Sequence, residues 1–292
     1  MTSILTIGNF DGLHIGHREL ISTTISLARS WAARAVAITF TPHPRQFFHP
    51  TEHFFIHPKE IREQILDSLG LDEVLYLPFG DIRRLTPQEF FDNILLPLDP
   101  AAIVLGENFN FGAHKAGNIT LLREMCARKD IALHSLNMAR WNGGPVSSTR
   151  IRSAIQTGHV DDAAAMLGTP YTLYGIVEHG ANRGHTLGFA TANIHTPEQV
   201  MPAVGAYASH VRIENAPERL PAMTAVTQTP TFHNVQTVVE THILDFSADI
   251  YGKHLQVQFD AFLRPETAFP SRDALVKQLR DDCLSVRKLN GI

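Results

Sequence analysis

This sequence predicts an α/β domain built on a parallel sheet, followed by a small antiparallel β-barrel with a terminal helix. Three observations lead there. Short apolar runs rich in β-branched residues alternate with segments of helical spacing through the first half. After about residue 170 the runs alternate apolar and polar, with no helix between them long enough for a crossover. The last stretch returns to helical spacing. Strands alternating with helices imply βαβ units, hence a parallel sheet covered on both faces, whereas consecutive short strands imply hairpins and a barrel.

In chain order, residues 3–8 (SILTIG), 34–40 (RAVAITF), 73–79 (EVLYLPF) and 101–105 (AAIVL) read as strands buried on both faces. Between the first two, residues 17–31 place Leu20, Ile21, Thr24, Leu27, Ala28 and Trp31 on one helical stripe. HPKEIREQILDSLG is amphipathic and runs to a glycine stop. LTPQEFFDNILL has Thr86 as N-cap, Pro87 at the first helical position and Glu89 to complete a capping box. SSTRIRSAIQTGHVDDAAAMLG reads as two short helices broken at Gly158. The domain boundary falls near Pro170, giving an α/β domain over 1–169 and a barrel domain over 170–292. The barrel strands are YTLYGIVEHG, AYASHVRI, AMTAV, TVVETHILDF and HLQVQFDAFL. The closing helix starts at Ser271 and sets Leu275, Leu279 and Cys283 on one face.

Composition narrows the classes of function. Lys and Arg total 25 against 29 Asp and Glu, a net charge of −4, so no basic field attracts a nucleic-acid backbone. No apolar run approaches the roughly 18 residues of a membrane span, and the N-terminus lacks a secretory pattern. The two cysteines, Cys126 and Cys283, show neither a CxxC nor a metal-ligand spacing and read as reduced thiols of a cytoplasmic protein. Small-molecule chemistry is the expectation.

The stretch GNFDGLHIGH follows the first buried strand and opens a helix. A glycine-rich turn there brings backbone N–H groups to an anion at a helix N-terminus, and His14 and His17 are three residues apart on one side of the first turn. Two imidazoles and a positive helix end thus point at one spot, an arrangement suited to a triphosphate losing pyrophosphate. The plainer alternative is an ordinary turn at Asp11 and Gly12 with histidines capping a helix. A second segment, VSSTRIR, sets Ser147, Ser148 and Thr149 at cap positions with Arg150 and Arg152 behind them, a further anion site.

Together these stretches resemble the nucleotidyltransferases marked by a His-x-Gly-His signature. TIGNFDGLHIGH, TFTPHP, LGENFNFG and VSSTRIRSAIQTGHVDDAAAMLGTPY stand in the order and spacing of the bacterial bifunctional riboflavin kinase/FAD synthetase family. The resemblance implies a Rossmann-like FMN adenylyltransferase domain that joins AMP from ATP to FMN, with Mg²⁺ assisting. It implies that His14 and His17 are catalytic and bind the ATP phosphates with Gly8, Phe10, Gly12, Ser148, Thr149 and Arg152. Pro42, Pro44, Asn108 and Phe111 would form the flavin side. It further implies a riboflavin kinase in the barrel, with Thr191 and Asn193 on Mg²⁺ and phosphate and Glu240 as general base.

This chain departs from the kinase pattern at several places. Ala190 stands for a proline, His185 for an arginine, and Ala225, Thr227 and Thr229 for an amide, a glycine and an arginine. Three alternatives therefore stay open: a monofunctional FAD synthetase with an inactive kinase-like barrel, a non-catalytic flavin sensor, and another adenylyltransferase of the superfamily. A tRNA synthetase fragment would carry a lysine-rich second signature, where this chain has SSTRIR.

Overall fold

The computed structural model describes residues 1–179, 189–196, 198–230 and 235–292. The chain packs as two compact units, residues 1–51 with 59–148, and residues 52–58 with 149–292.

The first unit contains β1 (Ser3–Ile7), α1 (Ile15–Ser30), β2 (Arg34–Thr41), α2 (Pro44–Phe48), α3 (Lys59–Ser68), β3 (Glu73–Pro78), β4 (Pro100–Gly106), α4 (Ile119–Ala127) and β5 (Ala132–Leu136). The five strands form one parallel sheet in the order β3-β2-β1-β4-β5. Leu5 lies between Val36 and Ile103 in register, so the apolar positions of the three central strands share a face. One face buries Leu5, Ile7, Val36, Ile38, Ile103 and Leu105 against Phe90, Phe91, Leu95 and Leu122. On the other face, α1 covers Ile4, Ala35, Ala102 and Val104 through Ala28. Both faces are closed by helical segments, as the near-continuous apolar strands require.

Three sequence expectations are adjusted here. The expected helix over LTPQEFFDNILL has its Thr86–Glu89 capping box, but only Pro87–Phe90 is α-helical. It continues as a π turn over Phe91–Leu95 and a 3₁₀ turn over Leu96–Leu98, where Pro97 supplies no N–H to an α-helical ladder. Trp31 leaves the α1 stripe: it is the C-cap, and about half of it is exposed. β3 is a sheet edge and is only half-buried, and β5, the opposite edge, is a strand of mixed polarity (ALHSL) that periodicity does not single out.

The second unit contains α5 (Ser148–Gln156), α6 (Val160–Leu167), β6 (Thr172–Glu178), β7 (Ala192–His195), β8 (Gly205–Ile213), β9 (Leu220–Pro230), β10 (Val235–Ile243), β11 (His254–Pro265) and α7 (Arg272–Asn290). Ser148, the first residue of α5, belongs to the first unit. The six strands close an antiparallel barrel in the order β6-β7-β10-β9-β8-β11, which leaves no open sheet edge. Ser271 caps α7 as expected, its side chain accepting from the Ala274 N–H at 3.2 Å. That helix packs Leu279, Cys283 and Val286 on Ala208, Met223 and Leu244. Asp282 is buried under it and takes Arg264 through Nε at 3.1 Å and Nη2 at 2.8 Å, with Gln278 donating at 2.9 Å. A carboxylate so deeply placed is tolerated because its oxygens are fully bonded.

Residues 52–58, remote in sequence, pack with this unit. Phe55 pairs with Gln199 in a parallel bridge, and the fully buried Gln199 amide spends both ends locally. Its oxygen accepts from the Tyr174 N–H at 2.7 Å, while its nitrogen donates to the carbonyls of Ile56 and Thr172, both at 3.0 Å. Removing such an amide strands several buried partners at once.

Two stability measurements follow from this packing. Leu105→Ala empties a fully buried position of the sheet core and is expected to cost about 2–5 kcal/mol in denaturant unfolding of the first unit. Gln199→Leu is expected to lower the barrel's melting midpoint, whereas an unchanged midpoint would show that the Gln199 bonds are dispensable.

Candidate active sites

In the first unit the strand order reverses at β1 and β4: the chain runs outward through β2 and β3, then returns to the other side of β1. A crevice outside the carboxyl ends of the strands is expected at such a reversal. GNFDGLHIGH follows β1 and GENFNFG follows the end of β4, so both motifs lie at that point.

The first loop is strained. Phe10 (φ 48°), Gly12 (φ 83°) and Leu13 (φ 42°) all take positive φ, a region that costs a non-glycine residue about 1–3 kcal/mol. What holds it there is burial. Phe10 and Leu13 are fully buried among Ile21, Ala37 and Leu66. A side chain on Gly8 would come within 2.9 Å of the Phe10 ring, so the glycine leaves room for that anchor. The Phe10 ring meets His17 edge-on at 5.3 Å, and His17 in turn stacks on His14 at 3.6 Å, with 14° between planes. A Cβ on Gly16 would touch the His14 ring at 3.4 Å, which accounts for the glycine inside the His-x-Gly-His spacing.

His14 is the N-cap of α1: its Nδ1 accepts from the His17 N–H at 3.3 Å. In the neutral ring the proton is therefore on Nε2, which is left as a donor. Burial lowers the His14 pKa to about 4. Burial also holds His17 well below the ordinary imidazole value, helped by the proximity of His14. Among the described residues the buried His17 Nδ1 has no hydrogen-bond partner, an atom whose desolvation asks for a ligand or water. The pair is thus neutral at pH 7 and offers hydrogen bonds at a helix N-terminus without a charge of its own.

The other expected residues are distributed as follows. Pro42 follows a cis Thr41–Pro42 bond at the end of β2, and Pro44 is the first residue of α2, capped by the His43 ring. Asn108 is exposed beyond β4, its carbonyl accepting from the Asn110 amide at 2.8 Å. Phe111 lies inside, stacked on Phe109 at 5.6 Å and tilted against Phe90 at 5.8 Å in the core of one sheet face. Sequence reasoning passed over Phe47 and Phe48, which with Phe79 form a mutually edge-on aromatic cluster beside α2. Phe48 is 54% exposed, the largest aromatic surface near the two prolines. The signal was present as FF after PHPRQ.

Ser148 donates through its hydroxyl to the Asp11 carbonyl at 2.8 Å, which ties the start of VSSTRIR to the β1 loop. In the second unit, Thr149 is exposed on the first turn of α5. Arg152 is buried, its Nε donating to the Phe54 carbonyl at 2.8 Å and its guanidinium stacked 4.0 Å over the Phe54 ring.

In the barrel, register brings the expected kinase residues together. Asn193 on β7 pairs directly with Glu240 on β10, and on its other side with Glu178 on β6. Val239, Thr241, Ala192 and Ile194 are buried, so Asn193 and Glu240 share the outer face. Ala225 on β9 pairs with Glu240 on the far side, which sets a methyl group where the family carries an amide. Gly180, Gly184, His185 and Gly188 lie outside the described residues.

Among the described residues no group of three His, Cys, Asp or Glu side chains forms a metal cluster, and no helix is long and apolar enough to cross a membrane. Both cysteines are free thiols, and burial raises each to about 11.

A parallel sheet with a histidine pair at its strand reversal, followed by a closed six-stranded barrel, makes a two-module α/β-plus-barrel protein. Residues 1–150 match the FAD synthetase family model and residues 167–290 the riboflavin kinase model. The chain belongs to the bifunctional riboflavin kinase/FMN adenylyltransferase family. It is 32% identical to the protein of that name from Escherichia coli K12, over 99% of this chain and 93% of that one. It is also 32% identical to the one from Listeria monocytogenes, over 97% and 90%. Among solved structures it is similar to one described as a macrolide-efflux protein from Streptococcus pneumoniae, with TM-score 0.89, 33% identity and coverage of 98% and 94%.

The histidine pair has a pH consequence. Both pKa values are depressed below 6.5 in the folded state, so the unfolded chain takes up protons first on acidification. Stability of the first unit is expected to be intact above about pH 6.5 and to fall as pH drops toward about 4. Urea midpoints at pH 7 and pH 5 measure the slope, which flattens in His17→Asn if this pair is its source.

Proposed function

We propose that this chain transfers AMP from ATP to FMN, giving FAD and pyrophosphate, and that its barrel phosphorylates riboflavin to FMN with ATP. ATP, FMN and riboflavin as substrates fit the family. The observation that carries the first activity is the His14–His17 stack at the N-terminus of α1, placed where the strand order reverses. The domain assignment is 1–169 for adenylyl transfer and 170–292 for the kinase, and the cytoplasm is the expected compartment.

In adenylyl transfer an FMN phosphate oxygen, already anionic at pH 7, forms a bond to the α-phosphorus of ATP. The bond from that phosphorus to the bridging oxygen breaks, and its electron pair leaves on pyrophosphate. No protein nucleophile and no proton transfer are needed, so catalysis is positioning and charge stabilisation. His14 Nε2–H and the His17 ring donate to the phosphates, and the backbone from Gly8 through Phe10 and Gly12 to the helix start supplies further N–H groups. Ser148, bonded to the Asp11 carbonyl, continues the nucleotide site. Pro42, Pro44 and Asn108 line the flavin side, with Phe111 supporting it from the core.

In the kinase step the ribityl 5′-hydroxyl attacks the γ-phosphorus, its proton passes to the Glu240 carboxylate, and ADP leaves. Thr191, Asn193 and the neighbouring carboxylate offer hard oxygen donors of the kind Mg²⁺ takes, so the residues fit that ion. Bound there, Mg²⁺ would neutralise charge on the transferring phosphate. The second reading, FAD synthesis alone, is favoured by Ala225 opposite Glu240, which leaves the base without the family's amide neighbour.

Purified protein given riboflavin, ATP and Mg²⁺ separates these readings. FMN and FAD together mean both activities, whereas FAD made only when FMN is supplied means one. His17→Ala is expected to lower FAD formation by at least ~10²-fold, the effect of losing a preorganised donor. Rates within a few-fold of wild type would rule out that role. Ala225→Asn is expected to raise riboflavin phosphorylation by roughly three- to tenfold, the worth of one restored hydrogen bond, as measured by FMN release.

A further inference from the structure

The ladder between β7 and β10 ends at the pair Ala192–Thr241. One residue further along each strand stand Thr191 and His242. There the backbone pairing is replaced by a side chain: His242 Nδ1–H donates to the carbonyl of Ala190 at 2.8 Å. The preceding residue, Phe189, meets the same imidazole edge-on at 5.2 Å with 69° between planes. One ring thus holds two successive residues just ahead of Thr191. His242 also lies two residues beyond Glu240 on β10, and the buried residues Val239, Thr241 and Ile243 between and beside them show that both face outward.

We propose that His242 is a positioning residue of the riboflavin kinase site, a clasp that fixes the backbone of Ala190 and so the direction of Thr191 beside Asn193 and Glu240. This rests on the kinase reading of the barrel. The sequence supplies the need. Where the family has a proline ahead of this threonine, Ala190 has free φ, and an uncommitted backbone would lose the near-attack geometry that phosphoryl transfer depends on. A hydrogen bond from the strand that carries the base restores that constraint, because base and phosphate residues then move as one piece. A carbonyl only accepts, so the bond commits Nδ1 to carry the proton. Asn places its amide nitrogen at much the same distance from the backbone as His Nδ1, and Phe keeps the ring while removing the donor.

The test uses the full-length chain and follows both reactions. His242→Phe is expected to lower kcat/KM for riboflavin phosphorylation roughly tenfold or more, the scale of one lost positioning hydrogen bond. The effect should fall mainly on kcat, with FMN adenylylation unchanged and the barrel's melting midpoint retained. His242→Asn is expected to recover most of the loss. In ¹⁵N spectra of the wild-type protein, His242 should show the Nδ1–H tautomer. An Nε2–H tautomer, a His242→Phe kinase equal to wild type, or a His242→Asn no better than His242→Phe would each overturn the proposal. A wild-type chain that forms no FMN from riboflavin overturns the kinase reading, and the clasp with it. Loss of the melting transition in His242→Phe shifts the decision to His242→Asn and the tautomer.

Discussion

The loop that carries the histidine pair depends on the burial of two side chains, Phe10 and Leu13. Phe10 and Leu13 hold the loop after β1 in left-handed backbone because leaving that conformation would pull both out of the core. Apolar burial of a Phe and a Leu is worth several kcal/mol, more than the strain of two positive-φ residues. From that anchor the rest is stacked: bare Gly8 under Phe10, Phe10 against His17, His17 on His14, and His14 capping the helix. The histidines are rigid and neutral because they are built into this column. Preorganised neutral donors of this kind cost little reorganisation when charge grows on a transferring phosphate.

The barrel solves a similar problem by register. Antiparallel pairing puts Asn193 between Glu178 and Glu240 regardless of how far apart they stand in sequence. The same pairing makes the departures of this chain interpretable. Ala225 faces Glu240 directly, so the departure from an amide falls beside that carboxylate, whereas Thr227 and Thr229 pair further along β9 with Val238 and Gln236. Loss of the proline at Ala190 coincides with a side-chain bond from His242 to that residue. Unit two also recruits residues 52–58, held by Gln199 and Arg152, so its stability draws on a segment from the middle of the first unit's sequence.

Much of this could be read from residue order. Buried parallel strands announce themselves by unbroken apolar runs, and the capping residues Thr86, Glu89 and Ser271 act within one turn, so local sequence suffices for them. The His-x-Gly-His stretch likewise carries its own chemistry, since a glycine-rich turn into a helix makes an anion site wherever it occurs. Mixed-polarity edges such as β3 and β5 are weaker signals because only part of each strand is buried. The short β7, too, gives little periodicity to find.

What local pattern could not contain was any quantity set by distant partners. Two positive-φ residues look costly until the core that compensates them is assembled, and the type and spacing of Arg152 do not reveal that Phe54 lies against its guanidinium. The spacing of Phe111 likewise does not reveal that it packs in the core of one sheet face. Residue types and their spacing determined the two folds, the family and the chemistry on offer, because those rest on periodicity and short-range geometry. Tertiary structure decided which side chains are anchors and which remain available, because burial and cross-strand register depend on contacts between residues tens to more than a hundred positions apart.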